Sequence, residues 1–276
     1  MASILFHIIF FCLILRTTTA SGSSFNQNYE PYFGLDHFKL IQGGQDEAQL
    51  TLDQNGGAGF RSKAEYQSGR FHIRMKIPRQ KTRGIIPNFY LISREESGIH
   101  TELDFEFLGT TGDLQTNMFA NDLGGREQHF HLWFDPSEDF HSYSILWNQH
   151  QVVFLVDNIP ITVYKNNSAM GAKFPSEPLH IEATIWNGTW VGNVDWSVSP
   201  FTTSYRNFEI TGCQADNANP EKCASPEFKW NAEDQWDLTP QQKQKLENIR
   251  KKYMYYDYCN QPNAKSKYPE CAVSRS

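Results

Sequence analysis

The 276-residue sequence predicts an all-β sandwich, and three observations carry that prediction. Runs of period-two alternation recur at short spacing, most clearly from Arg70 to Ile77, where Phe71, Ile73, Met75 and Ile77 alternate with His72, Arg74 and Lys76. Turn formers such as Asn55-Gly56-Gly57 and Asp157-Asn158 separate those runs. The single convincing helical pattern lies far downstream, after Leu238. Many short strands with no helices between them must bury one sheet face against another. A chain that is 39% hydrophobic and 14% aromatic has enough apolar surface for one large domain of that kind.

Taken in order, residues Ile4 to Leu15 form an apolar run broken only by His7, followed by Arg16 and a small polar stretch. The run is too short to span a bilayer and fits a signal-peptide core, with Thr18 and Ala20 placed for cleavage after Ala20. Export is therefore expected, with no membrane association after cleavage and residues 1–20 removed. Residues 21–36 are polar and aromatic without a period and read as an extended lead-in. Further strands are expected at Gln49 to Leu52, Asn88 to Ile92, Thr116 to Phe119, Phe130 to Phe134, Ser142 to Trp147 and Gln151 to Val156.

The stretch with most chemistry runs from His100 to Leu108. In a strand, Glu102, Asp104 and Glu106 share one face while Leu103, Phe105 and Phe107 share the other. The two glutamate Cα atoms then lie about 13 Å apart, and long side chains leaning over the shorter Asp104 bring their carboxyl groups much closer. A retaining glycosidase holds such a pair roughly 5 Å apart. An amphipathic strand with an acidic wet face is the plain alternative, although Asp and Glu are poor strand formers and like charges repel. A calcium site fits less well, since calcium draws six to eight oxygens from a flexible loop.

Near the C-terminus, Thr239 as N-cap, Pro240 at the first position and Gln242 three after the cap make a capping box, with Leu246, Ile249 and Tyr253 along one face. Cys12 leaves with the signal, so Cys213, Cys223, Cys259 and Cys271 remain, an even number that reads as two disulfides in an exported chain. Three pairings are possible. The local ones, Cys213 with Cys223 and Cys259 with Cys271, are preferred because each staples a polar loop lacking a core. Zinc binding is disfavoured by the missing Cys-x-x-Cys spacing.

The stretch His100-Thr101-Glu102-Leu103-Asp104-Phe105-Glu106-Phe107-Leu108-Gly109 resembles the His-x-Glu-Ile-Asp-Phe-Glu-Phe-Leu-Gly signature of the plant xyloglucan endotransglucosylase/hydrolases of glycoside hydrolase family 16. Leu103 stands for the usual Ile and Thr101 where Asp is common. The segment from Gly59 to Tyr66 and Gly69 is also similar to that family. The resemblance implies a concanavalin-like jelly roll over residues 21–212 and a C-terminal extension over 213–276, and it favours the same two disulfides. It implies Glu102 as nucleophile, Glu106 as acid and base, and Asp104 as their assistant. It further implies glucan contacts from Gln115, Thr116 and Asn117, from Gly125, Arg126 and Glu127, and from Trp186, whose ring suits the apolar face of a pyranose. Trp190, Gly192 and Lys267 are the nearest counterparts of further family contacts. Here the loop after Trp186 is short and Lys267 stands where the family often has Arg, so acceptor-side contacts are expected to be weaker.

The implied partners are donor and acceptor chains of xyloglucan, the implied place is the plant cell wall or apoplast, and the protein is expected to be a monomer. The chemistry needs no metal or cofactor. Transfer is expected over hydrolysis because hydrolytic members carry a lengthened loop after that Trp. Hydrolysis of a related β-glucan and a non-catalytic glycan-binding sandwich are the rivals. Net charge is −6, without a basic stripe, which argues against nucleic acid. Two glycosylation sequons start at Asn166 and Asn187, of which Asn166 is preferred because Asn187 adjoins Trp186.

Overall fold

The computed structural model describes residues 24–43, 46–94, 98–216 and 219–273. The signal segment, its cleavage after Ala20 and Cys12 lie outside the described residues. The strands are β1 (Tyr29–Phe33), β2 (Phe38–Ile41), β3 (Glu47–Leu52), β4 (Ala58–Ser62), β5 (Tyr66–Lys76), β6 (Ile85–Ser93), β7 (Glu102–Phe107) and β8 (Asp113–Phe119). They continue with β9 (Gln128–His131), β10 (His141–Trp147), β11 (Gln151–Val156), β12 (Ile159–Lys165), β13 (Leu179–Asn187), β14 (Phe201–Arg206), β15 (Ile210–Gln214) and β16 (Met254–Asp257). Helices are the short α1 (Phe25–Asn28), α2 (Pro240–Tyr253) and the short α3 (Ala264–Lys267).

All the strand pairs are antiparallel and fall into two layers. One layer runs β1–β4–β13–β6–β7–β8–β9–β16; the other runs β12–β11–β10–β5 and continues through β14 to β3 and β2. They meet at one corner, where Leu179 of β13 pairs with Tyr66 of β5. Between them lies the core. Leu103, Phe105 and Phe107 of β7 are fully buried in it, Phe105 with ring centroids 5.6 Å from Tyr143 and 5.0 Å from Phe154 of the opposite layer. Each such side chain contributes roughly 1.5–3 kcal/mol by burial, so this apolar triplet anchors the acidic strand.

Five of the expected strands lie within observed ones, Arg70 to Ile77 overruns β5 by one residue, and Phe130 to Phe134 is strand only to His131. A turn follows, in which Asp135 Oδ1 accepts from the Ser137 amide and hydroxyl at 2.9 and 2.6 Å, and it redirects the chain into β10. The aperiodic lead-in is more ordered than expected: it holds α1 and β1. Phe25 is fully buried there, its ring within 5.1–5.8 Å of Tyr29, Phe38, Phe60 and Phe208. An aromatic cluster has no sequence period, which is why alternation misses it.

The helix forms where its capping box lies: Thr239 Oγ1 accepts from the Gln242 amide at 3.2 Å, and Gln242 Oε1 accepts from the Thr239 amide at 2.8 Å. Leu246 and Ile249 are its buried face. Beyond α2 the chain becomes β16 and pairs with β9, adding an edge strand to the layer that carries β7. Both local disulfides are present, with Cα separations of 5.4 Å for Cys213–Cys223 and 5.3 Å for Cys259–Cys271. Cys213 itself lies inside β15.

A buried ion pair ties this C-terminal segment to the β8–β9 connection. Arg126 is fully buried; its Nε donates to Glu270 Oε1 at 2.5 Å and its Nη1 to the Leu123 carbonyl at 2.5 Å. Removing one partner of such a pair leaves an uncompensated buried charge. Glu270→Ala is expected to cost about 3 kcal/mol in urea unfolding, while the apolar pair Arg126→Met with Glu270→Leu regains most of that loss.

Candidate active site

Strand register builds the site. On β7, Glu102, Asp104 and Glu106 pair with Ile92, Tyr90 and Asn88 of β6 on one side. On the other side they pair with Phe119, Asn117 and Gln115 of β8. Directly opposed residues of a sheet point to the same face, so these nine side chains form one surface. The acidic row lies at its centre, Asp104 only 3% exposed and its two neighbours partly open.

The three carboxyl groups have different partners. Glu102 Oε2 lies 2.7 Å from His100 Nε2, and the His100 ring stacks on Phe119 at 4.5 Å. Glu106 Oε2 accepts from Gln115 Nε2 at 2.8 Å. Burial, then the charges of Glu102 and Glu106, hold Asp104 well above the usual carboxylate range, and the protonated group donates to Glu102. Burial, then the charges of Glu102 and Glu127, push Glu106 up to about 7, against the Gln115 hydrogen bond. The hydrogen bond to Glu102 raises the His100 imidazole pKa, so the ring is readily cationic beside that carboxylate. Glu106 is thus biased toward its protonated form while the carboxyl group at the other end of the row is paired with His100, an asymmetry that acid–base chemistry can use.

Register puts Gln115 and Asn117 in the surface, but Thr116 and the Arg126 guanidinium lie outside it. Thr116 faces the core, fully buried, its hydroxyl 2.8 Å from that of Thr162 in the opposite layer. Strand alternation demands this, since its neighbours Gln115 and Asn117 face the cleft. Asn117 uses its Oδ1 on the amides of Met118 and Arg126 at 2.9 and 3.0 Å, so that oxygen organises backbone. The Arg126 guanidinium is turned inward onto Glu270 and cannot reach a sugar. Gly125 has φ +74° and lies where an added Cβ would be 2.6 Å from Tyr268 Oη, so it admits the Tyr268 hydroxyl to its bond with the Gly124 carbonyl. Glu127 is half-buried, its carboxyl raised by burial and opposed by the charge of exposed Lys267.

On the other flank, Trp186 is 37% exposed at the end of β13, paired with Ile86. Trp190 is 59% exposed in a short loop held down by Gly188 N to the Gly84 carbonyl and Asp195 N to Thr82 Oγ1, each at 2.8 Å. Gly192 packs on Arg83. In strand order this loop adjoins the β6–β13 side of β7, whereas Lys267 lies beside Gly125 on the β8–β9 side. In strand order the loop and Lys267 thus lie on opposite flanks of the acidic row. Asn166 is exposed in the turn after β12, and Asn187 is exposed next to Trp186.

Residues 25–207 match Glycosyl hydrolases family 16, and residues 224–271 match the Xyloglucan endo-transglycosylase (XET) C-terminus. The chain belongs to the xyloglucan endotransglucosylase/hydrolase family. It is 44% identical over 248 residues to xyloglucan endotransglucosylase/hydrolase protein 3 of Arabidopsis thaliana, covering 86% of this chain and 84% of that one. It is 42% identical over 268 residues to xyloglucan endotransglucosylase protein 34 of Populus tremula x Populus tremuloides, covering 91% and 89%. Its fold resembles a prokaryotic β-1,3-1,4-glucanase (lichenase) from a mouse hindgut metagenome, with TM-score 0.57, 24% identity, and coverage of 67% of this chain and 93% of that one.

In this family member the same face carries residues that alternation alone did not single out. Tyr90, opposite Asp104, donates its hydroxyl to Glu182 Oε2 of β13 at 2.7 Å. Asn88, opposite Glu106, accepts from the Thr184 amide and hydroxyl at 2.7 and 2.8 Å. Their signal was present in the polar positions of Asn88 to Ile92, yet only pairing register connects them to the acidic row.

A carboxyl whose folded pKa is raised above its unfolded value loses stability for the fold as pH rises between the two values. For Glu106 that window runs from the ordinary glutamate range to about 7. Glu106→Gln is therefore expected to stabilise the protein by about 1–3 kcal/mol at pH 7.5 and by much less at pH 4.5, measured by urea unfolding at both pH values.

Proposed function

We propose that the chain is a retaining enzyme of the plant cell wall that cuts the β-1,4-glucan backbone of xyloglucan and religates the new end to another xyloglucan chain. The observation that carries this reading is the contrast across β7: Glu106 is raised to about 7 and holds a proton, while Glu102 lies between a His100 cation and the Asp104 hydroxyl. Family membership supports the substrate class, since the relatives named above are xyloglucan enzymes.

In the first step Glu102 attacks the anomeric carbon and the glycosidic C–O bond breaks. Glu106 gives its proton to the departing sugar oxygen and becomes a carboxylate. In the second step that carboxylate takes the proton of an acceptor hydroxyl, whose oxygen displaces Glu102 from the same carbon. Asp104 and His100 hold Glu102 from either side, and Gln115 aims Glu106. Trp186 offers an aromatic face on one flank and Lys267 a charge on the other. A sugar hydroxyl in place of water makes transfer. We place the catalytic unit in residues 21–212 and the extension in 213–276, with export through cleavage after Ala20, a monomeric state and a glycan on Asn166.

Incubation with xyloglucan and a labelled xyloglucan oligosaccharide tests the reading: label is expected in polymer faster than new reducing ends appear. Reducing ends without label would make the enzyme a hydrolase, and neither signal would end the proposal. Glu102→Ala and Glu106→Ala are each expected to lower turnover by at least about 10³-fold with the fold intact by circular dichroism. Azide is expected to rescue Glu106→Ala with net retention at the anomeric carbon, on substrates whose leaving group needs no acid, whereas any azide product of Glu102→Ala is inverted. Because the acid must be protonated and the Glu106 pKa is about 7, kcat/KM is expected to fall as pH rises through that value.

A further inference from the structure

The β9–β16 edge of the cleft layer carries an aromatic arrangement that the chemistry above does not use. Gln115 of β8 pairs with His129 of β9, and Asp113 pairs with His131, so both histidines face the side of the acidic row. On β16, Tyr256 pairs with His129 and Met254 with Phe130, leaving Tyr255 as an inserted residue between the two pairs. Met254 packs on the core, and alternation would then give the wet face to only one of the next two residues. The bulge breaks that rule, and its effect shows in the ring contacts. Tyr256 lies against the His129 ring with centroids 4.6 Å apart, and Tyr255 stacks on the His131 ring at 4.2 Å with 19° between planes.

The Tyr255–His131 stack is open and held. Tyr255 is 47% exposed, and the His131 side chain is 64% exposed with Nδ1 2.6 Å from Asp113 Oδ1. A rigid, half-exposed aromatic pair beside hydrogen-bonding groups suits the apolar face of a pyranose with its hydroxyls turned to the polar neighbours. From β7 the edge is three strand steps away, about 14 Å, beyond the sugars that would meet the carboxylates directly. Its position is continuous with the cleft: Gln115, bonded to Glu106, is the cross-strand neighbour of His129.

We propose that Tyr255 and His131 form a distal sugar platform on this edge, which binds the β-glucan backbone of a long oligosaccharide on the Lys267 flank. The inference rests on the proposed function for its ligand class. Its consequence is length dependence, since the stack lies three strand steps from the acidic row and only a long chain reaches it.

The test uses the full secreted chain, with a short and a long xyloglucan oligosaccharide as titrants and calorimetric affinity together with acceptor KM and kcat as readouts. Wild type is expected to bind the long oligosaccharide more tightly than the short one. Tyr255→Ala is expected to reduce that preference three- to ten-fold through KM, with kcat at saturating acceptor little changed, and Tyr255→Phe to retain the preference. His131→Ala, on a different strand, is expected to act in the same direction and keeps the test available should Tyr255→Ala fold poorly. An undiminished length preference in both alanine variants would overturn the platform alone. Failure of wild type to bind either oligosaccharide would overturn the platform and the proposed substrate class together.

Discussion

Three carboxyl groups at alternate positions of one buried strand cannot all be ionised, and much of the cleft is organised around that constraint. Burial raises Asp104 and Glu106, and the charge of Glu102 raises both further, so the row carries fewer charges than it has carboxyl groups. The charge that remains needs an opposite partner, which His100 supplies to Glu102 at 2.7 Å. Loss of Leu103, Phe105 and Phe107 from the core would remove the anchor that keeps the acids in place against their repulsion. Stability on one face of β7 thus sustains an unfavourable arrangement on the other, as expected where strain serves chemistry.

The acidic face was legible from sequence because strand alternation is a local property: residues 102, 104 and 106 must share a side whatever the rest of the chain does. The same rule excludes Thr116 from the cleft once Gln115 is in it, and a resemblance that carries three adjacent residues together overrides that rule wrongly. Arg126 failed for another reason. A guanidinium looks like a sugar ligand in sequence, but its partner Glu270 is 144 residues away, and only the folded chain shows the pair. Tyr90, Asn88 and Glu182 depend on register between strands, which no local pattern encodes.

The C-terminal segment shows a similar division. Its helix was readable because a capping box is a four-residue signal, and its disulfides because parity and short spacing restrict the choice. Its role in the sheet was not readable. Met254 to Asp257 is a short run after a helix with no clean alternation, since the bulge at Tyr255 destroys the period by which a strand is recognised. The feature that hides the strand from sequence is also the one that places two tyrosines on the cleft face.

The extension and the acidic row are therefore parts of one sheet. β16 completes the hydrogen bonds of β9, β9 orders β8, and β8 supplies Gln115 to Glu106. The Arg126–Glu270 pair reinforces this path from the other end, because the amide of Arg126 also donates to Asn117 Oδ1, directly opposite Asp104. A change in the extension reaches the carboxylates through at most two strands, without any side chain of the extension touching them. Lys267, which is exposed beside Gly125, acts differently: its charge opposes the burial of Glu127, and Glu127 is one of the charges that hold the Glu106 proton. An Arg at that position would keep the charge and add a planar fork, so the exchange to Lys changes hydrogen-bonding geometry more than it changes the field at Glu106.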